Sequence, residues 1–256
     1  MDSAIKKYYQ KFTGSDLDNI IKNSTKNMND PKMIEQISSH INRIYCEKII
    51  KIDWFKETQL KKSDFINKAL EKTGKENPNY LEIGVFENNN FNIIKTKNRI
   101  SVDPDPNSFP TFLGTSNEFF KDNETMFDVI FIDGMHTFDQ CREDAINALN
   151  FLNQGGYMFF HDLIPRNFIE EYVPRIGGTW TGDVWKVSVE LAKTRGIDFQ
   201  VVLADHGLGF LKKKENHVKY YEDDRRKLIY SKYDDFFRLN KIIKYQNAEL
   251  AFNEFL

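Results

Sequence analysis

The stretch FDVIFIDGMHTFDQC, residues 127–141, ends an apolar run on Asp133 and places His136 three residues later. A second apolar run, GGYMFF at 155–160, ends on His161 and Asp162. Carboxylates and imidazole at the ends of neighbouring strands suit a divalent cation, here Mg²⁺, Mn²⁺ or Fe²⁺, with Asp133, His161 and Asp162 as ligands. Such an ion would bind a hydroxyl and lower its pKa. His136 is the candidate base, because an imidazole of ordinary pKa about 6.5 offers its neutral form at neutral pH. The bland alternative is an Asp133-Gly134 turn with Asp162 as a helix cap or Asx-turn.

A third acid stands on a different pair of strands. YLEIGVFENNNF, residues 80–91, turns at Gly84 just past Glu82, and ISVDPDP reaches Asp103 nineteen residues after that glycine. An acid there is placed to accept from a ribose diol, and Gly84 allows close approach of backbone to a ligand. The G-x-G-x-x-G of a dinucleotide site and the G-x-x-x-x-G-K-[ST] of a P-loop are both absent, so the pattern suits a nucleoside better than a pyrophosphate.

Positioning these groups calls for strands alternating with helices over residues 78–212. Strand candidates are 80–85, 99–103, 111–113, 127–133 and 156–161, and their near-continuous apolar character suits parallel strands covered on both faces. Phe138, Cys141, Ala145, Ala148, Leu149 and Leu152 mark one face of a crossover helix. DFQVVLADHGLGFLKK reads as an antiparallel hairpin, with His206 in its turn. Residues 1–77 read as a helical extension serving as a lid or oligomer-forming element. They include apolar positions at Met33, Ile37, Ile41, Ile44 and Tyr45, and a helix in KKSDFINKALEKTG capped by Ser63 or Asp64. Residues 213–256 read as charged, then helical.

Six motifs in this order resemble class I S-adenosylmethionine-dependent methyltransferases: YLEIGVFENNNF, ISVDPDP, GTSNEFF, FDVIFIDGMHTFDQC, GGYMFFHD and GDVWK. The nearest likeness is to the branch of metal-dependent sugar and small-molecule O-methyltransferases. The resemblance implies a doubly wound, mostly parallel, seven-stranded Rossmann-like α/β sheet with an antiparallel edge hairpin. It implies that Glu82 and Gly84 line the methionine side of the cofactor, that Asp103 holds the ribose with Asp133 close by, and that Ser116 and Asn117 lie near the adenine. It further implies an acid at Asp133 with a base three residues on, and more metal ligands at the end of the next strand. There His161 departs from the usual Asp. Asn88-Asn89-Asn90 also departs, standing where relatives carry a second glycine, although Asn tolerates left-handed backbone.

Further along, Trp180 and Trp185 could stack on a sugar, and Arg166 and Arg175 could meet the diphosphate of a nucleotide-sugar. The expected activity is O-methylation of a sugar or nucleotide-sugar hydroxyl, in surface polysaccharide or secondary-metabolite biosynthesis. The alternatives are a scaffold on the same fold and a methyltransferase-fold hydroxylase.

The 36 basic and 38 acidic residues among 256 leave a formal charge of −2, against a general nucleic-acid binder. Cys46 and Cys141 are too few for a disulfide framework and read as reduced. MDSAIKKYYQKF has no apolar signal core, and no run reaches the ~18 apolar residues of a membrane span. A cytoplasmic location is expected, and a homodimer is plausible from the helical flanks.

Overall fold

The computed structural model describes residues 58–175 and 179–254. Cys46, His40 and the helical pattern at 33–45 lie outside them. Strands β1 (Tyr80–Ile83), β2 (Arg99–Asp103), β3 (Phe112–Leu113), β4 (Phe127–Ile132) and β5 (Leu152–Phe160) are followed by β6 (Ile197–Leu203), β7 (Leu208–Lys213) and β8 (Tyr245–Asn247). They form one sheet in the order β3-β2-β1-β4-β5-β7-β6-β8. The first five are parallel, and β7 is antiparallel to both β5 and β6. The expected Rossmann-like architecture is present. An eighth strand, parallel to β6, adds to the seven expected and covers the outer edge of the hairpin. Three residues are too few to show a period-two pattern, so β8 had no sequence signal.

Helices are α1 (Lys62–Lys72), α2 (Ser116–Asp122), α3 (Phe138–Phe151), α4 (Phe168–Glu171), α5 (Trp185–Leu191), α6 (Arg225–Tyr230), α7 (Tyr233–Leu239) and α8 (Ala248–Glu254). Alternation along each strand divides them between two layers. Leu81, Ile83, Ile130 and Ile132 face a core closed by α2, α3, α5 and the aromatic residues of α7. Tyr80, Val129, Phe131 and Phe159 face a second core closed by Phe65, Ile66, Ala69 and Leu70 of α1 and by Ala248 and Ala251 of α8. Burial on both faces is why these strands read as continuous apolar runs. The N-cap of α1 is Lys61, not Ser63 or Asp64. Asp64 instead sits three residues inside and accepts from the Lys61 N–H at 2.8 Å. Cys141 is a buried free thiol, as its apolar helix position suggests. No described helix is long and apolar enough to cross a membrane.

Register fixes the level at which the chemistry sits. Ile83 pairs with Val102 on one side and Ile132 on the other, and Ile132 pairs with Phe160. Gly84, Asp103, Asp133 and His161, each the next residue along, therefore lie in one row at the carboxyl edge. Ligands of open α/β sheets bind at this edge, near the reversal of strand order.

Candidate active site

Asp133 leaves β4 with its N–H still bound to the Ile83 carbonyl at 2.8 Å, so its carboxylate is carried by the ladder itself. Its Oδ1 lies 3.4 Å from His136 Nε2 and 3.2 Å from His161 Nδ1, and its Oδ2 is 2.9 Å from Lys62 Nζ. Burial alone would raise the Asp133 pKa; His161 and Lys62 outweigh it and hold the carboxyl well below its usual range.

His136 is gripped from a distance in sequence. Its Nδ1 is 2.9 Å from the Trp180 carbonyl, and its ring stacks on the Trp180 indole at 5.2 Å between centroids. A Cβ at Gly182 would stand 1.7 Å from the His136 carbonyl oxygen, so only glycine lets this segment press against the β4 exit. Asp183 completes the grip by accepting from the Phe138 N–H at the start of α3, at 2.6 Å. Both ring nitrogens face atoms that can only accept, the Trp180 carbonyl at Nδ1 and the Asp133 carboxylate at Nε2, so the surroundings favour the doubly protonated ring. Burial pushes the imidazole pKa down, but Asp133, Asp162 and the Trp180 carbonyl more than offset it and leave it raised. The neutral form is therefore reached at higher pH than for a free imidazole, because two carboxylates favour the proton.

Asp162 adopts left-handed backbone at φ 62°, which returns its carboxylate toward His136 Nδ1 at 3.3 Å and His161 Nδ1 at 3.2 Å. Asp133, His136 and Asp162 each offer one ligand atom, and these atoms lie within 4.8 Å of one another. This differs from the expected ligand set in its imidazole. His161 faces Asp133 and Asp162 through Nδ1, and Asp205 of the β6–β7 turn through Nε2 at 3.2 Å. With carboxylates at both nitrogens, its pKa is carried well above the usual value despite the opposing effect of burial. With both nitrogens facing carboxylate oxygens, His161 sits between Asp133, Asp162 and Asp205 rather than within the cluster of Asp133, His136 and Asp162.

At the cofactor end, Asp103 accepts through Oδ2 from the Val85 N–H at 2.9 Å and the Phe86 N–H at 3.2 Å. Its Oδ1 accepts from the Asp105 N–H at 2.9 Å. The carboxylate thereby ties the β1 and β2 exits together, and a carboxylate has further acceptor capacity for hydroxyls. Gly84, at φ 81°, approaches the backbone of Asp133 and Gly134 rather than open space, where its Cβ would lie 2.1 Å from the Asp133 oxygen. Asn88 takes left-handed backbone at φ 59°, so the asparagine-rich turn forms without the glycine. Glu82 is buried and accepts from the Tyr80 hydroxyl at 2.6 Å and Asn90 Nδ2 at 3.1 Å. Burial pushes its pKa up to about 7. The Asn90 Oδ1 is buried and has no hydrogen-bond partner. Ser116 starts α2 and donates to Asp144 Oδ1 at 2.5 Å, while Gln140 Nε2 reaches the exposed Asn117 at 3.3 Å.

Two residues expected to meet substrate have other work. Arg166 turns its fork onto the buried Glu170, with Nε 2.9 Å from Oε1, so it is not held ready for a diphosphate. Trp185 is fully buried, edge-on to Phe236, and is a core residue rather than a sugar platform. The aromatic spacing in GDVWK could not distinguish the two, because stacking and packing use the same side chain. Trp180 is half-buried beside His136, and Arg175 is exposed. Lys62, Asp205 and Gly182 were missed by sequence reasoning. Each reaches the site through space, and only the GDVWK motif hinted at one of them.

Trp185 Nε1 donates to Glu171, a buried acid whose pKa burial pushes up to about 8. The native state therefore holds this proton more tightly than the unfolded chain, whose value is the ordinary 4.5. The stability it contributes is complete below about pH 4.5 and is lost as pH rises through about 8. Melting scans of Glu171→Gln from pH 5 to pH 9 should show a shallower alkaline decline than the native chain. Parallel curves would remove Glu171 from the cause.

Residues 47–163 match the family model described as a methyltransferase domain. The match agrees with the resemblance in the motifs and takes in Glu82, Asp103, Asp133, His136 and Asp162. No curated protein matches. Among solved structures, the chain is similar to cofactor-bound Rv0187 from MTB, at 13% identity over 78% of this chain and 97% of that one, TM-score 0.48. It is similar to an O-methyltransferase from Bacillus cereus in complex with SAH, at 12% identity over 82% and 97%, TM-score 0.45. A third is CalS10, an amino pentose methyltransferase from Micromonospora echinaspora, at 13% identity over 59% and 88%, TM-score 0.41.

Proposed function

We propose that this protein is an S-adenosylmethionine-dependent O-methyltransferase whose acceptor is a sugar hydroxyl, free or nucleotide-activated, in polysaccharide or secondary-metabolite biosynthesis. The observation that carries the reading is the row of Gly84, Asp103, Asp133 and His161 at one sheet edge, with His136 set against Asp133. The methyltransferase-domain match over residues 47–163 supports the cofactor. So does the donor set: the Glu82 carboxylate and the unpartnered Asn90 Oδ1 would meet an amino-acid ammonium, and Asp103 the ribose. Ser116 and Asn117 would border the base. Arg166 is turned onto Glu170, which favours an acceptor bound through its sugar. A cytoplasmic location and a small-molecule acceptor, rather than nucleic acid, belong to the same reading.

S-Adenosylmethionine, when bound, supplies a methyl group on a sulfonium, already electrophilic and requiring an in-line oxygen. This chain's task is to orient the hydroxyl and take its proton. His136 in its neutral form accepts that proton, and Asp133 stabilises the resulting imidazolium. A divalent ion fits the oxygens of Asp133 and Asp162, and would acidify the hydroxyl. One lone pair cannot both ligate and accept a proton, so His136 is assigned the proton.

The test is calorimetric titration of S-adenosylhomocysteine into chelator-treated protein. Binding in the micromolar range, weakened at least about tenfold in a folded Asp103→Ala variant, is the expected result. No binding at millimolar ligand would sink the reading and leave a scaffold on this fold.

A further inference from the structure

The acidic edge already contains a cation. Lys62 opens α1, whose Phe65, Ile66, Ala69 and Leu70 are buried against the sheet, so the helix is firmly seated. Its ammonium lies 2.9 Å from Asp133 Oδ2, 3.5 Å from His161 Nε2 and 5.4 Å from the centre of the Phe131 ring. The side chain is about three-quarters covered, at 24% exposure. It therefore stands on one of the two carboxylates that would ligate a metal, held by an element 71 residues earlier in the chain.

We infer that Lys62 is the resident counter-cation of Asp133, and that a divalent ion enters this site only in exchange for it. The inference rests on the reading of Asp133 as an active-site carboxylate. An ammonium at hydrogen-bonding distance and a divalent ion on the same carboxylate repel one another across a partly covered site, so each weakens the other's hold. Because α1 is anchored by its own core contacts, the Lys62 backbone stays beside the site whichever way its side chain turns. The carboxylates of Asp133, Asp162 and Asp205 already face Lys62, His136 and His161 before any metal arrives. This makes the site able to hold an acceptor oxygen beside a positive charge in the absence of metal, with Lys62 as a positioning residue.

Mn²⁺ titrations followed by electron paramagnetic resonance decide the matter on the full chain. The Lys62→Met variant should bind Mn²⁺ at least about tenfold more tightly than the native protein, while Lys62→Arg, which keeps the charge, stays within about threefold of it. Equal Mn²⁺ affinity in native protein and Lys62→Met overturns the inference, and so does a Lys62→Met variant that binds no Mn²⁺ at millimolar concentration. S-Adenosylhomocysteine calorimetry on the same three proteins separates the failures. Cofactor binding retained in all three with unchanged Mn²⁺ affinity rejects the role of Lys62 alone, whereas its absence from the native protein rejects the methyltransferase reading.

Discussion

Replacing Gly84 by alanine is expected to destabilise the protein by about 2–5 kcal/mol, the sum of a left-handed backbone penalty and an overpacking penalty. The glycine stands at φ 81°, and the added Cβ would lie 2.1 Å from the Asp133 oxygen and 2.6 Å from both the Asp133 carbon and the Gly134 Cα. All three obstacles are backbone atoms, so no rotamer change relieves them. The β1 exit would have to part from the β4 exit, and Asp133 would move with it. Gly74 supplies the control, since it has φ 68° with nothing within 4 Å of its Cβ position. Gly74→Ala should cost only about 1–2 kcal/mol, the backbone term by itself. Urea unfolding of both variants measures the difference. Equal losses would mean that the Gly84 contact relaxes freely and that the two exits are not rigidly joined.

Asp133→Asn should lower turnover on the order of a thousandfold, the range of a positioned proton-transfer group. The amide keeps the shape of the carboxylate but removes the negative charge shared by His136, His161 and Lys62. Two consequences reinforce one another. The His136 imidazolium formed by proton transfer loses its stabilising anion, and the ammonium of Lys62 is left beside His161 without the charge between them. S-Adenosylhomocysteine release under saturating cofactor would measure the loss, with calorimetry to show that the cofactor still binds. Turnover within about tenfold of native would take Asp133 out of the chemistry, since that is below the usual contribution of such a group.

Much of this site could be read along the chain, for a local reason. In a parallel sheet buried on both faces, an apolar run that stops at an acid marks the carboxyl edge, so Asp103, Asp133 and Asp162 announced themselves by position. His136 followed from its spacing to Asp133. The hairpin turn was legible too, from the Gly207 that its reversal requires, although nothing local showed that Asp205 in that turn would face His161.

What only the tertiary structure decided was how the polar groups are shared. An imidazole at the end of β5 could ligate a metal or bridge carboxylates, and only the fold shows Asp205 and Asp133 presenting oxygens to its two nitrogens. The Trp180 carbonyl holds the His136 ring across 44 residues, and Lys62 reaches Asp133 across 71. Neither separation leaves a periodic trace, because hydrogen bonds and ion pairs depend on distance in space. Trp185 and Arg166 show the same limit from the other side, since a tryptophan can stack on a ligand or fill a core and an arginine can grip phosphate or Glu170. Side-chain chemistry gave each residue its possible roles, and the packing of α1, α5 and the 180–186 segment around the sheet edge selected among them.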